Sequence, residues 1–598
     1  SAGFKETGDA EAEHALIDAT GDMALIGPNC YGLINYIDNT ALWSFEHGGW
    51  SPGYGAAIIT QSGMFSSDIT MSARSLPLAY MVSAGNQAVL GLEDFLDTFA
   101  DDPAVRAIGL HIEGLQDIPA FERAALKAIE RGVAVVALKT GSSAIGAALT
   151  VSHTGSLSGS DELYEALFAR TGVIGVTNPA QFLETLKYFC VVDAPKGARV
   201  AGFTCSGGGA TMLADHAEKI GLDFSKVNAD DHAALRDLLP DIATVSNPLD
   251  YTTPIWGQAE RTFPVFAKAM EAVGADAAVL VQDYPAEGLD ASKGYYQNDA
   301  DAFAKATSER GIPAAICATL PENLDKETRR HLISLGVAPM QGIHETLNAM
   351  RDAVSWSERR QAIMARRPAE LVQGRVTDAL TMWTEDRGKS WLSARGVNVP
   401  DGRPVTAGNA EDAADEVGYP VALKMMSPQL AHKTEAGAVA LGIADAQALG
   451  VALTQMKKAV AEHDANAVTD SFLLEAMSPP PLAEMIVTIR SDPQFGSALV
   501  LGSGGILTEL LGDAVTLLLP ATPEDITEAL KSLRVARLLD GFRGHEPADF
   551  DKVSAALHHL CEAVILERER VVEVEINPMF IYSDHIIAVD ALIHVAAK

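Results

Sequence analysis

The chain has 598 residues, a formal net charge of −34 at pH 7 and a hydrophobic content of 48%. This length predicts several domains, roughly four, and the composition is typical of a globular α/β enzyme. The excess of acid argues against nucleic acid and anionic membranes as partners, because both bind basic surfaces. The five cysteines lack metal-type spacing, and we find neither a signal peptide nor a long apolar segment, so we expect reduced thiols and a cytoplasmic protein.

The first residues have the pattern of the end of a doubly wound domain. A helix is predicted over residues 10–21 and a strand over 23–26, and the motif Gly27-Pro28-Asn29-Cys30 follows. The chain starts without Met. We therefore expect the first strands of this domain to be missing.

A second unit alternates strands and helices, with strands predicted over 53–60, 107–112 and 133–138. This βαβ pattern predicts a parallel sheet, and ligands collect at the carboxyl ends of such strands. Glu113 and Lys139 each follow a strand directly, and His153 lies one loop further on. We expect these three side chains to meet at one edge of the sheet.

His153 lies in a loop rich in glycine and hydroxyl groups, residues 150–159, just before a predicted helix. Ser158 and Asp161 have the spacing of a capping box at the start of that helix. A histidine beside a helix N-terminus suits transient bonding to a phosphoryl group, because free amide donors and the helix dipole stabilise the added negative charge. The alternative is an ordinary polar residue in a surface loop.

A third unit extends over residues 197–354, with strands predicted at 199–204, 277–282 and 313–318. The turn Ser206–Gly209 joins its first strand to a helix. It lacks the full dinucleotide-binding pattern and the lysine of a P-loop, so a structural turn or a secondary phosphate contact is favoured over a nucleotide site. Residues 356–374 carry several arginines and little periodicity, which indicates an interdomain linker.

The last 220 residues or so contain the components of an ATP site. Lys424 lies on a strand predicted over 421–425, and a strand over 471–477 contains Glu475 and Met477. The lysine would hold the phosphates, and the main chain of the second strand would bind adenine.

Oxygen ligands for Mg²⁺ follow near the end of the chain. Glu575 and Asn577 lie in an alternating segment, 571–578, and Asp590 lies in a strand predicted over 586–591. Magnesium prefers a few carboxylate or amide oxygens together with phosphate and water. The alternative is that Glu573 and Glu575 form the solvated face of an edge strand.

The order of the motifs resembles one family, the nucleoside-diphosphate-forming acyl-CoA synthetases. These are relatives of succinyl-CoA synthetase and ADP-forming acetate–CoA ligase, here in the single-chain form. The resemblance covers essentially the whole chain and is carried by Gly27-Pro28-Asn29-Cys30, Gln61-Ser62-Gly63, Gly85-Asn86, His111-Ile112-Glu113-Gly114, Ser152-His153-Thr154-Gly155, Asn247-Pro248-Leu249-Asp250, His432-Lys433 and Glu575-Ile576-Asn577-Pro578.

The resemblance implies an α/β protein with four domains. They are a partial Rossmann-like CoA-binding domain (1–45), a flavodoxin-like ligase domain with a phosphohistidine loop (46–192), a second flavodoxin-like ligase domain (193–355) and, after a linker (356–374), a C-terminal ATP-grasp domain (375–598).

The resemblance also implies roles for individual residues. His153 is similar to the phosphorylated histidine, Glu113 to the carboxylate that orients it, and His432 to a second histidine that relays phosphate. The implied metal ligands are Glu575, Asn577 and Asp590, and the implied cofactors are ATP, Mg²⁺ and CoA. The implied cofactor-binding residues are Lys424, Glu475, Met477, Gly27, Pro28, Asn29, Gln61, Ser62 and Gly63.

The implied activity is ATP-dependent formation of an acyl-CoA from a carboxylic acid and CoA, with release of ADP and phosphate, by a cytoplasmic homodimer. The reaction would proceed through a phosphohistidine and an acyl phosphate. The alternative within this family is an ATP- and CoA-dependent lyase of the dimethylsulfoniopropionate type. An acid–amine ligase would need no phosphohistidine, and a regulatory homologue would be expected to lack a motif.

Two further expectations concern side-chain contacts. Glu113 and His153 should form a hydrogen bond of about 2.7–3.0 Å, unless Glu113 only caps the helix that follows it. The aromatic residues Trp43, Trp50 and Tyr54 either enclose a cationic substrate or pack between domains.

Overall fold

The structure, a computed structural model, describes residues 4, 7–143, 161–286, 288, 291–372, 374, 379–427, 429–430, 433–504, 512–544 and 546–597. The chain divides into two compact units. Unit 1 comprises Ser1–Ser160 and Thr171–Arg367, and unit 2 comprises Asp161–Arg170 and Pro368–Lys598.

Unit 1 contains a seven-stranded sheet in the order β2-β1-β4-β3-β5-β6-β7. Its strands are β1 (Gly32–Asn35), β2 (Thr40–Trp43), β3 (Gly55–Thr60), β4 (Leu78–Ser83), β5 (Val105–Ile112), β6 (Ala134–Lys139) and β7 (Ile174–Val176). β1 is antiparallel to both of its neighbours, and the other pairs are parallel. All six residues of β3 are buried, as expected for a parallel sheet covered on both faces. The helices of this region are Ala10–Thr20, Gly63–Thr70, Leu92–Phe99, Ile118–Arg131 and Pro179–Val191.

A second sheet of unit 1 has five parallel strands in the order β12-β11-β10-β8-β9. They are β8 (Val200–Thr204), β9 (Leu249–Asp250), β10 (Ala277–Val281), β11 (Ala314–Ala318) and β12 (Ala338–Gln341). The helices are Gly207–Ile220, Ala229–Leu238, Ala259–Ala272, Lys293–Arg310, Lys326–Ser334 and Ile343–Ala365, with a 3₁₀ turn at Pro321–Asn323. The side chain of Asn247 bonds to the main chain of Val200, Gly202 and Ser225, which ties the Asn247–Asp250 motif to β8.

Unit 2 contains two antiparallel sheets, each with its own apolar core. The larger has the order β13-β23-β21-β18-β19-β20, with β22 paired to β21, and the smaller has the order β14-β17-β15-β16. The strands are β13 (Leu380–Met382), β14 (Gly402–Val405), β15 (Val421–Met425), β16 (Val439–Ile443), β17 (Phe472–Ala476), β18 (Ala483–Asp492), β19 (Gly496–Ser503), β20 (Ala514–Leu518), β21 (Val571–Ile581), β22 (Ile586–Ala588) and β23 (Ala591–Ala596).

The helices of unit 2 include one from an earlier part of the chain. This is the helix Asp161–Thr171, of which residues 161–170 belong to unit 2. Its Tyr164 packs edge-on against Phe495, with ring centroids 5.0 Å apart, and Arg170 donates to the carbonyl oxygens of Leu518 and Pro520. The other helices are Glu385–Ser393, Ala410–Val417, Ala446–His463, Pro523–Ser532, Ala536–Leu539 and Phe550–Leu566, with 3₁₀ turns at Ala465–Ala467 and Phe542–Gly544.

The α/β fold class is confirmed, and three local predictions are wrong. Residues 23–26 are irregular, and Met23 is 67% exposed. The first part of the predicted linker continues the helix Ile343–Ala365, because Trp356 is buried against Phe189, with ring centroids 5.5 Å apart. The strand predicted over 586–591 is divided into β22 and β23. The division between the two units, after Arg367, falls inside the predicted linker, and the finer domain boundaries stay predictions.

No helix in the described part of the chain is both long enough and apolar enough to cross a membrane.

Candidate active site

A buried cluster of ion pairs surrounds Lys424 in unit 2. Lys424 lies on β15, whose five residues are all buried. Its Nζ is 2.7 Å from Glu385 Oε1 and 3.1 Å from Glu475 Oε2, and it donates to the carbonyl oxygen of Val589 at 2.7 Å. The ammonium group predicted to hold phosphate is therefore already enclosed by two carboxylates and a carbonyl group.

Two members of this cluster, Glu385 and Lys389, were not predicted from the sequence. They lie one turn apart on the helix Glu385–Ser393, so both side chains point to the same face. Lys389 Nζ is 2.5 Å from Glu475 Oε1 and 3.0 Å from Glu385 Oε1, and it donates to the Val589 carbonyl oxygen at 2.7 Å. The spacing is visible in the sequence, but such pairs usually lie on solvated helix faces.

The cluster continues to the surface through Lys433. Its Nζ lies 2.7 Å from Glu385 Oε2 and 3.0 Å from Asp590 Oδ1. Three ammonium groups thus meet three carboxylates, those of Glu385, Glu475 and Asp590. Burial opposes the charge of Glu385, but the lysines outweigh burial and hold its pKa far below the ordinary value. Burial likewise opposes the charge of Lys433, yet Glu385 and Asp590 raise its pKa above the ordinary value.

The break between β22 and β23 places Asp590. Pro578 of β21 lies opposite Val589 and has no N–H, so the ladder is interrupted there. The Val589 carbonyl oxygen accepts hydrogen bonds from Lys389 and Lys424 instead. Asp590 then borders a cavity of about 200 Å³, together with Lys433, Glu575 and Asn577.

The three predicted metal ligands therefore lie around one cavity and present only oxygen donors, a set that suits Mg²⁺. Glu573 has a different environment, because its Oε2 lies 2.8 Å from Nδ1 of His594 on the neighbouring strand. The alternative placed these residues on an edge strand, and this is wrong because β21 is paired with β18 on one side and β23 on the other. Glu575 borders the cavity.

The predicted adenine strand is β17, which is paired with both β14 and β15. Glu475 is 2% exposed, and its side chain belongs to the ion cluster. Met477 lies just beyond the strand, is 37% exposed, and donates its N–H to the Pro420 carbonyl oxygen at 3.3 Å.

In unit 1, the side chain of Gln61 holds the loop that carries Glu113. Gln61 Nε2 donates to the carbonyl oxygen of Gly114 at 2.9 Å. Its Oε1 accepts from the N–H of Gly114 at 3.1 Å and from the N–H of Glu113. Asp117, not Glu113, caps the helix Ile118–Arg131, since its Oδ1 accepts from Ala120 N at 2.8 Å. The capping alternative for Glu113 is therefore wrong.

A buried histidine, His111, lies beside this loop at the end of β5. Its Nδ1 is 2.9 Å from Oγ1 of Thr60, and its Nε2 is 3.3 Å from Oγ1 of Thr140. Burial, assisted by the charge of Lys139, lowers the pKa of His111 to about 4. A neutral imidazole therefore links the last residue of β3 to the loop that follows β6, a role that the sequence motif alone did not reveal.

The other predicted cofactor residues of unit 1 make local contacts. The Pro28 carbonyl oxygen accepts from Asn86 N at 2.9 Å, and Asn29 Nδ2 donates to Asn86 Oδ1 at 3.3 Å. The Gly27 carbonyl oxygen accepts from Ala88 N at 2.9 Å. These bonds join the first motif to the Gly85–Asn86 motif.

The predicted residues Ser62 and Gly63 begin a helix of the same unit. Ser62 caps the helix Gly63–Thr70 by accepting from Phe65 N at 3.3 Å. A side chain at Gly63 would meet the ring of Tyr31, with a Cβ only 2.9 Å from Cε1.

His153 and His432 lie outside the described residues, as does Ser158. The Glu113–His153 hydrogen bond therefore stays a prediction.

The aromatic residues Trp43, Trp50 and Tyr54 have separate partners. Arg330 lies over the ring of Trp50 at 4.9 Å, Arg106 lies over Tyr54 at 5.6 Å, and Trp43 packs edge-on against Tyr31. These contacts favour packing over a cage for a cation.

Comparison with known protein families gives two matches. Residues 375–595 match the ATP-grasp domain, and residues 54–189 match the succinyl-CoA ligase-like flavodoxin domain.

The chain is similar along nearly its whole length to acid–CoA ligases. It is 30% identical to the ADP-forming acetate–CoA ligase I of Archaeoglobus fulgidus, over 99% of this chain and 85% of that protein. It is 26% identical to the ADP-forming 4-hydroxybutyrate–CoA ligase of Nitrosopumilus maritimus, over 97% and 84% of the two chains. The fold also resembles acetyl-coenzyme A synthetase 1 of Ca. Korarchaeum cryptofilum, solved with phosphate and ADP, with a TM-score of 0.53, 23% identity and coverage of 62% and 79%.

The fold and the sequence together define an acid–CoA ligase of the α/β class. The chain belongs to the family of ADP-forming acyl-CoA synthetases, as the order of its motifs predicts.

Proposed function

We propose that the protein joins a carboxylic acid to CoA and converts ATP to ADP and phosphate in the same reaction. The observation that carries the proposal is the cavity in the ATP-grasp region, where Lys433 faces the oxygen ligands Glu575, Asn577 and Asp590. A cation and hard oxygen donors around one cavity are what a nucleotide with its Mg²⁺ requires.

The chemistry explains why phosphate must be transferred before the thioester forms. A carboxylate is a poor acylating agent, so it needs a leaving group, and phosphate from ATP supplies one. His153 would accept the phosphoryl group on a ring nitrogen and pass it to the acid. The CoA thiol would then attack the acyl phosphate carbonyl and release phosphate. Glu113 would hold the other ring nitrogen and so fix the tautomer.

His432 would relay the phosphoryl group from ATP to His153. In the ATP-grasp region, Lys424 and Lys433 would supply positive charge, and Glu475 to Met477 would line the adenine side. Bound Mg²⁺ would polarise the phosphate oxygens, with Glu575, Asn577 and Asp590 as its ligands.

In unit 1, the motif residues would form the CoA side of the site. We propose that Gly27, Pro28 and Asn29 contact CoA. The three residues Gln61, Ser62 and Gly63 would shape the same site, because Gln61 fixes the backbone beside Glu113.

The proposal extends to domain organisation and assembly. The domains would be 1–45, 46–192, 193–355 and 375–598, with the linker at 356–374. We also propose that the protein is a cytoplasmic homodimer, as the family resemblance implies. The relatives named above are ligases, so the comparisons do not support the lyase alternative.

The proposal is tested by product analysis. The protein is incubated with ATP, Mg²⁺, CoA and a panel of short carboxylic acids, and the products are identified by mass spectrometry. At least one acid should give its CoA thioester together with equimolar ADP and phosphate. A CoA-dependent elimination product in place of an acyl-CoA would favour the lyase, and acid–amine coupling would favour the other ligase class.

A further inference from the structure

Lys433 binds a carboxylate, that of Asp590, which is also a predicted ligand of the divalent cation. Its Nζ is 3.0 Å from Asp590 Oδ1, and Asp590 borders the same cavity as Glu575 and Asn577. The Lys433 side chain is only 11% exposed, so its ammonium group interacts with Glu385 and Asp590 with little competition from water. One carboxylate thus serves both a resident ammonium group and a prospective metal ion.

We propose that Lys433 and the divalent cation compete for Asp590, so that the metal enters together with the nucleotide and not before it. This inference rests on the proposed function, because it concerns the same cavity. In the nucleotide-free protein, Lys433 is the counterion of Asp590. A nucleotide phosphate offers Lys433 a new partner, and Asp590 is then released to the metal.

Repulsion between Lys433 and a metal ion at Asp590 supports this order, while Glu435 and Glu575, which border the same cavity, attract the metal. Lys389, Lys424 and Lys433 are matched by Glu385, Glu475 and Asp590. A bare divalent cation would add positive charge beside Lys433, and the two cations would repel each other across one carboxylate.

Lys433 differs from the other two lysines of the cluster in its main-chain contact and its position. All three are held by two carboxylates, but only Lys389 and Lys424 also donate to the Val589 carbonyl oxygen among the contacts of the described residues. Lys433 borders the cavity directly and is the cluster lysine that a phosphate in the cavity would meet.

The substitution Lys433→Met should change the affinities for metal and for ATP in opposite directions. Lys433→Met removes the competitor of the metal, so Mn²⁺ should bind the nucleotide-free protein about tenfold more tightly, the scale of one charge-assisted contact. The same change removes a phosphate partner, so ATP should bind about tenfold more weakly without metal. A residue that only supports the fold would weaken both.

The test uses the full chain and two titrations. Mn²⁺ binding without nucleotide is followed by electron paramagnetic resonance, and ATP binding in the presence of EDTA is followed by calorimetry. Lys458→Met is the matched control, because the Lys458 side chain is 78% exposed and pairs with Glu462, which is not part of the buried cluster. Lys433→Arg keeps the charge and should keep metal binding weak.

A second variant makes the test independent of the folding of Lys433→Met. Asp590→Asn removes the shared carboxylate, so Mn²⁺ binding should fall while ATP binding without metal should rise. Unchanged or weaker Mn²⁺ binding in folded Lys433→Met, or weaker ATP binding in Asp590→Asn, would overturn the competition. If the unmodified protein binds no ATP, the proposed function itself fails, whatever the Mn²⁺ titrations show.

Discussion

The amide side chain of Gln61 forms a two-way clamp with the peptide group of Gly114. Gln61 Nε2 donates to the Gly114 carbonyl oxygen at 2.9 Å, and Gln61 Oε1 accepts from the Gly114 N–H at 3.1 Å. The clamp joins the end of β3 to the end of β5. The backbone that presents Glu113 is therefore fixed by a residue 52 positions away in the sequence.

Gln61→Ala should release this loop and slow the reaction. The variant leaves buried main-chain groups without partners, and a small displacement of a catalytic group can reduce turnover by up to about 100-fold. We expect kcat to fall by about 10–100-fold while the KM for ATP stays unchanged. Steady-state assays of ADP release measure both. Gln258→Ala is the control, because that amide bonds to the Pro254 carbonyl oxygen on an exposed surface. Wild-type turnover of Gln61→Ala would contradict the role of the clamp.

Lys424→Met should destabilise unit 2 strongly. The substitution leaves Glu385 and Glu475 in the interior with fewer counterions, and breaking a buried ion pair costs about 3–5 kcal/mol. Urea unfolding measures the loss, with tryptophan fluorescence reporting through the buried Trp383 and Trp391. Lys552→Met, at an exposed ion pair, should change the free energy of unfolding by less than about 1 kcal/mol. Equal free energies of unfolding for the two variants would mean that the buried cluster does not stabilise unit 2.

The stability of unit 1 should depend on the protonation of His111. Its pKa is about 4 in the folded protein, below the ordinary 6.5, because burial disfavours the imidazolium ion. The neutral form therefore stabilises the fold above pH 6.5, and this stability is lost as the pH falls towards 4. The shift corresponds to about 3 kcal/mol.

This dependence can be measured by urea unfolding between pH 4 and 7. His111→Asn should flatten the part of the profile between pH 6.5 and 4, while the exposed control His585→Gln should retain it. A profile for His111→Asn that parallels the wild type would show that His111 does not carry this dependence.

Glu93 should have the opposite pH dependence. Burial raises its pKa to about 7 from the ordinary 4.5, and its Oε2 has no hydrogen-bond partner among the described residues. The protonated carboxyl group therefore stabilises the fold below pH 4.5, and this contribution is lost as the pH rises through 7. Glu93→Gln should be more stable than the wild type by about 1–3 kcal/mol at pH 8 and nearly equal to it at pH 4.5. The exposed control Glu260→Gln should show no such difference, and a destabilised Glu93→Gln at pH 8 would refute the prediction.

Periodicity predicted most of the fold, because the buried strands are continuous apolar segments. β15 occupies the predicted residues 421–425, β3 and β5 differ from prediction by two residues at their starts only, and β6 is shifted by one residue at each end. The strand predicted over 586–591 failed for a physical reason. Pro578 lies opposite Val589 and has no N–H to complete the ladder there, so the Val589 carbonyl oxygen binds two lysine side chains instead. Residues 586–591 alone do not reveal that partner.

The parts of the site that depend on residue type could be predicted from the sequence. The contacts between side chains from distant segments could not. Glu575, Asn577 and Asp590 were found as oxygen donors, and they border one cavity. Glu385 and Lys389 were missed, because a Glu–Lys pair one turn apart usually marks a solvated helix face. Lys424 was assigned to phosphate from its strand position, but its two carboxylate neighbours come from distant segments.

The central claim is that phosphate passes through His153 on its way from ATP to the acid. The most direct measurement is incubation of the protein with γ-labelled ATP and Mg²⁺, followed by acid and base treatment of the labelled protein. We predict an acid-labile, base-stable label on the unmodified protein and loss of acyl-CoA formation in His153→Ala, where any remaining label would be on the relay residue His432. Normal acyl-CoA formation by His153→Ala, or release of AMP in place of ADP, would contradict the account.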